Sequence, residues 1–223
     1  MRFLRENSLS IVFLVIFLAA LAGQALVGHG LFNQDQLLHH GDPVSLGRYL
    51  TSSEFAVDVA ENWQSEYLQF SLYILGTVWL LQRGSPESKE LDKAGLESDE
   101  EQKIGRHADA RSPKWARVGG LRTALFSNSL LVVMTALWLG SWFAQSVAGW
   151  TAYNANQLDH EAATTDWLGY LGTNEFWSRT LQNWQSEFLA VGSMAILSVY
   201  LRQRGSPESK PVGAPHEATG VEG

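Results

Sequence analysis

The sequence predicts an all-α integral membrane protein with four transmembrane helices, arranged as two tandem parallel repeats of two helices each. Four apolar runs predict the spans, because each has about the 20 residues that a helix needs to cross the hydrocarbon core. An offset of 121 residues relates the runs in pairs. Nine tryptophans among 223 residues also favour a membrane protein, because tryptophan is typical of membrane–water boundaries.

Each apolar run is predicted to be helical, since helix is the local structure that satisfies its own backbone hydrogen bonds in lipid. The second and fourth runs each carry a glutamine and a glutamate close to their first residue. Their polar beginnings place the candidate functional residues at one edge of the membrane. The predicted spans are residues 10–28, 63–81, 129–150 and 184–201.

A tandem duplication organises the chain. Residues 4–89 align without a gap to residues 125–210, and 32 of the 86 positions are identical. Each copy holds an even number of spans, so both copies enter the membrane from the same side. The predicted organisation is a first repeat at 1–89, a polar cytoplasmic linker without stable structure at 90–121, a second repeat at 122–210 and a disordered tail at 211–223.

The first apolar run also fits a signal peptide, because Arg2 and Arg5 precede a stretch that ends in small residues. Its counterpart at 129–150 lies in the middle of the chain, so we favour a retained span. The two termini and the linker carry 14 Lys and Arg, whereas the other two loops carry only Arg48 and Arg179. The positive-inside rule therefore predicts an inner (plasma) membrane protein with both termini in the cytoplasm.

Polar side chains near the outer ends of the spans form a candidate ligand-binding site. Glu66 and Glu187 lie three residues inside the predicted boundary, which is about 4.5 Å at 1.5 Å per residue. Gln24 and Gln145 reach a similar depth on the other two spans. Acidic residues within a span are costly and are functional candidates by default. The remaining candidates precede the glutamates in the repeated NWQSE motif: Asn62, Asn183, Trp63 and Trp184.

Two interpretations of this cluster stay open. In the first, hydrogen bonds of about 0.6 to 2 kcal/mol between glutamines and glutamates fix the helix register of a structural or interaction protein. In the second, Glu66 and Glu187 bind a cation or a small polar solute in a small transporter, channel or sensor. The outer segments carry 11 acidic residues against two basic ones, which would attract cations. Four spans are few for a transporter monomer, so the second interpretation favours a homodimer, the simplest homo-oligomer.

Other kinds of site have less support. His39 and His160, with Glu54 and Glu175, offer metal-ligating atoms, but the sequence contains no HxH, HxxxH or HExxH spacing. It also has no cysteine and no GxSxG motif. We therefore predict no enzyme activity, no cofactor and no metal. The net charge of −7 argues against a nucleic-acid partner, which leaves the lipid bilayer and a second copy of the chain as predicted partners.

The outer loops, residues 29–62 and 151–183, are predicted to contain helices of their own. Ser53 and Asn174 are good N-cap residues, so a helix is expected to begin just after each of them and to bend into the following span. A short amphipathic helix is expected at 44–50. At the other end of the second and fourth spans, Gly84 and Gly205 are expected to end each helix in a left-handed turn.

The motifs ENWQSE, YLTSSEF and QRGSPESK resemble those of an uncharacterised family of bacterial multi-pass inner-membrane proteins. Members of that family begin with FLREN-like residues, here at 3–7, and carry an N-W-x-S-E-F-L-like motif. The resemblance covers both repeats and implies location and topology, without supplying catalytic residues. The second repeat departs from the pattern at 125–128, which reads LFSN where the first reads LREN at 4–7.

Overall fold

The computed structural model describes residues 2–222, and every regular element among them is a helix. The predicted all-α class is therefore confirmed. The helices are α1 (Arg2–Glu6), α2 (Ser8–Leu38), α3 (Leu46–Leu50), α4 (Ser53–Trp79), a 3₁₀ turn (Gly105–His107), α5 (Lys114–Arg117), α6 (Gly120–Ser127), α7 (Ser129–Asp159), α8 (Trp167–Leu171) and α9 (Asn174–Tyr200).

Two helices, α2 and α7, are long and apolar enough to cross a membrane. Each has 31 residues, and the mean hydropathy of the most apolar 18-residue window is 2.5 in α2 and 1.6 in α7. Only 6% of that window is buried in α2 and 11% in α7. These two helices contain the first and third predicted spans. Within residues 2–222, α4 and α9 do not meet the same criterion of length and hydropathy.

Both apolar helices continue past the predicted ends of their spans. The outer loops were expected to begin at residues 29 and 151, but α2 ends at Leu38 and α7 ends at Asp159. The predicted boundary followed the drop in hydropathy at the end of each apolar run. The helix itself continues, because no proline or pair of adjacent glycines interrupts it. Past these ends, the N–H of Gly41 bonds to the Gln36 carbonyl and closes the chain reversal after α2.

The helices after each chain reversal agree more closely with expectation. The short helix predicted at 44–50 is α3, Leu46–Leu50. Helices α4 and α9 begin where a helix was expected, but the predicted N-cap residues were wrong by one position. The hydroxyl groups of Ser52 and Thr173 accept the N–H groups of Phe55 and Phe176, each at 3.2 Å.

The bounds of α7, α8 and α9 each fall 121 residues after those of α2, α3 and α4. The two chain reversals also close in the same way. The Asn33 side chain accepts the Val44 N–H at 2.8 Å and donates to the Val44 carbonyl at 3.1 Å. Asn154 does the same with Thr165, at 3.0 and 2.9 Å. Each asparagine thereby satisfies both the N–H and the C=O of one loop residue, which lies outside the helices.

A buried tyrosine packs over a helical glycine beside each of these reversals. The Tyr49 ring lies against Gly28, and the Tyr170 ring lies against Gly149. A Cβ atom at either glycine would overlap the tyrosine hydroxyl. Glycine is therefore required at both positions, because only a residue without a Cβ lets the tyrosine ring pack directly on the helix backbone.

The described chain forms two compact units, and each unit draws on both predicted repeats. The first unit joins the chain up to Ala60 with Phe143–Phe176, and the second joins Glu61–Trp142 with the chain from Trp177 onward. The reversals with their asparagine and tyrosine contacts belong to the first unit. Most of α4 and α9 belongs to the second.

Candidate functional site

The second unit brings the two predicted glutamates together. Glu66 lies on α4 and is exposed, whereas Glu187 lies on α9 and is half-buried. The charges of the two carboxylates interact, and the Ser65 side chain lies close to Glu187, while the Ser65 hydroxyl donates to the Asn62 carbonyl at 2.9 Å. Like charges at close range cost free energy unless a cation or a proton compensates for them. The arrangement can therefore bind a cation or simply tolerate the repulsion at an exposed edge.

Two polar contacts beside the glutamates connect α4 to α9. The Trp184 Nε1–H donates to Gln64 Oε1 at 2.8 Å, and Arg179 Nη1 donates to Glu61 Oε2 at 2.9 Å. Gln64 is fully buried, with none of its surface exposed. Because the indole can only donate, its partner must be the amide oxygen. The contact thus determines the orientation of the Gln64 amide.

Sequence reasoning missed three of the four residues in these contacts. Gln64 and Glu61 lie three residues apart and therefore share a face of α4. Arg179 is the only basic residue in its loop and was counted only as evidence for topology. The helical spacing could have indicated the shared face, but the partner on α9 lies 118 or more positions away and no local pattern identifies it.

An aromatic cluster centred on Trp142 includes Trp184. The Trp142 ring stacks on Trp138, with centroids 5.9 Å apart and planes at 12°. It also meets the Trp177 ring at 6.4 Å and the Trp184 ring at 6.2 Å. Offset and edge contacts of this kind stabilise packing beyond the buried area alone. Trp184 was predicted as a member of the candidate site, and in the structure it links that cluster to Gln64.

The two identical NWQSE segments have different surroundings. Gln64 is buried, but its counterpart Gln185 is exposed. Ser65 is likewise buried, whereas Ser186 is exposed. The ion pair has no counterpart in the other copy, because the residues equivalent to Glu61 and Arg179 are Gln182 and Asp58. Equal sequence therefore does not produce equal packing at this level of the fold.

The other predicted members of the site are distributed as follows. Asn62 and Trp63 are exposed on α4. On α9, the Asn183 side chain donates to the Arg179 carbonyl within its own helix, at 2.9 Å. Gln24 and Gln145 belong to the first unit, where Gln24 is exposed on α2 and Gln145 is fully buried on α7. The expected hydrogen bonds between glutamines and glutamates stay a prediction.

The two candidate metal-binding histidines lie close together in the first unit. The rings of His39 and His160 have centroids 5.9 Å apart, and each ring nitrogen Nδ1 lies near a backbone carbonyl of its own helix, Asp35 at 3.0 Å and Asn156 at 2.8 Å. Among residues 2–222, no group of three or more histidine, aspartate and glutamate side chains converges in a way that could hold a metal ion. His39 and His160 therefore stay weak candidates for metal ligands from the sequence alone.

One family matches almost the whole chain. It is described as a domain of unknown function, DUF6766, and the match covers residues 1–221. No curated protein and no solved structure matches the chain. The predicted resemblance to an uncharacterised family is confirmed at this level, because the matched family carries no assigned activity. Since the match spans both predicted repeats, the chain belongs to the DUF6766 family.

Proposed function

We propose that this protein is an integral protein of the inner (plasma) membrane that crosses the bilayer four times and serves a structural or interaction role. The observation that carries the membrane assignment is the uncovered apolar surface of α2 and α7, whose most apolar windows are only 6% and 11% buried. Apolar surface left uncovered along 18 consecutive helical residues is rare on soluble monomers. Lipid is the partner that removes this surface from water.

The tandem repeat supports the proposal that α4 and α9 also cross the membrane. Equivalent helices of parallel repeats cross in the same direction, so the chain must return between α2 and α7. Helix α4 is the long helix between them, and the equal offset of all six helix bounds supports this role. Polar residues at their outer ends lower the mean hydropathy of α4 and α9, which explains why α2 and α7 are the only helices within residues 2–222 that meet the hydropathy criterion.

The structural role rests on how α4 and α9 use their polar groups. The indole of Trp184 bonds to the Gln64 amide, and the Arg179 guanidinium bonds to the Glu61 carboxylate. Hydrogen bonds between membrane helices contribute about 0.6 kcal/mol on average and up to about 1.7 kcal/mol. Their main effect is to fix register, because a helix rotated or shifted by one residue loses both contacts. Homo-oligomer formation is a further part of the proposal.

A second candidate function is binding of a cation or small polar solute. It is favoured by the proximity of Glu66 to Glu187, since an added cation would relieve their repulsion. If it is correct, divalent or organic cations will raise the thermal stability of the purified protein, and Glu66→Gln with Glu187→Gln will abolish that rise. If the structural role is the whole function, the double variant will respond to added cations as the natural protein does.

Cysteine labelling in intact cells tests the four-span topology directly, because the natural chain contains no cysteine. Single cysteines are placed at exposed Asp42, Asp99, Thr164 and Glu217. Four spans predict that an impermeant thiol reagent labels positions 42 and 164 from outside, and positions 99 and 217 only after permeabilisation. Two spans, α2 and α7 alone, predict labelling of position 99 from outside and of position 164 only after permeabilisation. The second pattern would contradict the proposal.

A further inference from the structure

The segment QRGSPESK, identical at 82–89 and 203–210, folds in the same way in both copies. Its glycine has a φ of +83° at Gly84 and +82° at Gly205, a conformation that favours glycine. The hydroxyl of its second serine accepts the N–H of its glutamine, at 3.0 Å in the first copy and 2.9 Å in the second. The hydroxyl of its first serine accepts the glutamate N–H, at 3.3 and 3.2 Å. The same turn is thus built twice from the same local contacts.

The two equivalent glutamates of these turns line one cavity of about 340 Å³, together with Tyr73 of α4 and Val191 of α9. Their carboxyls are close enough to share a hydrogen bond, and the Tyr73 hydroxyl donates to Glu87 Oε2. Ionised carboxylates have only acceptor atoms, so two of them cannot form a hydrogen bond with each other. A hydrogen bond between the carboxyls therefore requires one proton on the pair.

The surroundings favour retention of that proton. Glu87 lines a cavity of about 300 Å³ whose other walls include apolar side chains of α9, among them Phe188 and Val191. Burial, the hydrogen bond to Glu208 and the charges of Glu208 and Glu222 raise the pKa of Glu87 to about 7. All three effects act in the same direction, because each disfavours the ionised form.

The nearby cations are engaged elsewhere. The Lys89 ammonium pairs with Glu97 and donates to the Gly95 carbonyl, and Lys93 pairs with Glu90 at 3.0 Å. The buried Lys210 ammonium donates to backbone carbonyls of the carboxyl-terminal tail. Besides Glu208, the titratable or charged groups around Glu87 are Tyr73, Lys89, Glu90, Asp92, Lys93, Glu97, Glu101 and Glu222.

We propose that Glu87 and Glu208 form a proton-binding site in which one shared proton joins the two QRGSPESK segments. This site is separate from the polar contacts on which the proposed structural role rests. When the proton is lost, two adjacent carboxylates repel each other and the segments separate. The folded protein retains the proton between about pH 4.5, the ordinary pKa of a glutamate, and about pH 7. The contribution of this pair to the free energy of unfolding is therefore fully present below about pH 4.5 and is lost as the pH rises through that window.

Infrared spectroscopy of the full-length protein in lipid tests the shared proton, because a protonated carboxyl has its own C=O stretching band. We expect one such band that disappears as the pH is raised through about 7. The band should be absent in Glu87→Gln and in Glu208→Gln, and unchanged in the matched control Glu90→Gln, which alters an exposed carboxyl of the same region. Absence of the band in the natural protein, or its persistence in Glu87→Gln, would overturn the proposal.

A distance measurement tests the coupling of the two segments and does not depend on the band assignment. Spin labels are attached at Arg83→Cys and Arg204→Cys, equivalent exposed positions in a chain without other cysteines. We expect a narrow distance distribution at about pH 5 and a longer, broader one at about pH 9. With Glu208→Gln, whose amide can donate to an ionised Glu87, the distribution should stay narrow at both pH values. Equal distributions in the natural protein, or an unchanged pH response in the variant, would sink the idea.

Discussion

At the scale of single residues, the two NWQSE segments differ most clearly in their glutamines. Gln64 lies at 0% exposure and accepts the Trp184 N–H, whereas Gln185 is exposed. The amide nitrogen of Gln64 has no hydrogen-bond acceptor among the described residues. A buried donor without a partner costs about 1–3 kcal/mol. The hydrogen bond from Trp184 to the amide oxygen offsets part of the cost of burying this amide.

A double-mutant cycle measures that contact. Trp184→Phe removes the donor, Gln64→Leu removes the acceptor, and the coupling between the two changes should stabilise the natural pair by about 0.6 to 1.7 kcal/mol. The measurement is the free energy of unfolding of the purified protein in detergent. Gln185→Leu is the matched control at the equivalent exposed position and should change stability by less than about 0.5 kcal/mol. A coupling of zero would show that the indole and the amide do not interact.

At the scale of helices, the caps of α4 and α9 show how closely an element's start can be located. Sequence pattern favoured Ser53 and Asn174, but the hydroxyl groups that accept a helix N–H are those of Ser52 and Thr173. We expect Ser52→Ala and Thr173→Ala each to lower the free energy of unfolding by about 1 kcal/mol, because each leaves a helical N–H without its acceptor. Thermal unfolding followed by circular dichroism measures the loss.

The neighbouring residues supply the controls for the caps. Ser53→Ala and Asn174→Ala alter the residues one position later and should change stability by less than about 0.5 kcal/mol. If these two variants instead lose as much stability as the cap variants, the start of each helix has been placed one residue too early. The comparison separates the observed cap from the one that the sequence predicted.

At the scale of the whole molecule, the uncovered surface of α2 distinguishes a lipid environment from an aqueous one. Leu18 lies within the apolar run and is 52% exposed. In water, Leu18→Lys would replace an exposed apolar side chain and change stability by no more than about 0.5 kcal/mol. In a bilayer the same change should cost about 2.5–3.5 kcal/mol of insertion free energy. We therefore expect Leu18→Lys to reduce the amount of membrane-inserted full-length protein sharply.

Leu38→Lys provides the matched control for this substitution. Leu38 ends the same helix, lies beyond the predicted span and is also exposed. A lysine at that position stays in water or at the interface, so the amount of inserted protein should not change. Equal expression and equal membrane recovery of the two variants would contradict the assignment of α2 as a span.

Sequence by itself determined the features that depend on near neighbours. The prediction that Gly84 and Gly205 end their helices was wrong, because α4 ends at Trp79 and α9 ends at Tyr200. The all-α class, the short helix α3 and the left-handed conformation of both glycines do follow from local patterns of hydropathy and glycine placement. These features could be predicted because a helix or a turn forms from contacts between residues a few positions apart. The common offset of 121 residues is likewise visible in the sequence and in the helix bounds.

Only the tertiary structure decided which of two identical residues becomes buried and which partner it meets. Gln64 was not separable from Gln185 by sequence, and nothing local pairs Glu61 with Arg179 or Glu87 with Glu208. Each of these contacts joins residues 118 to 121 positions apart. Side chains so distant meet only because the packing of helices and chain reversals places them together, and that packing depends on the whole molecule at once.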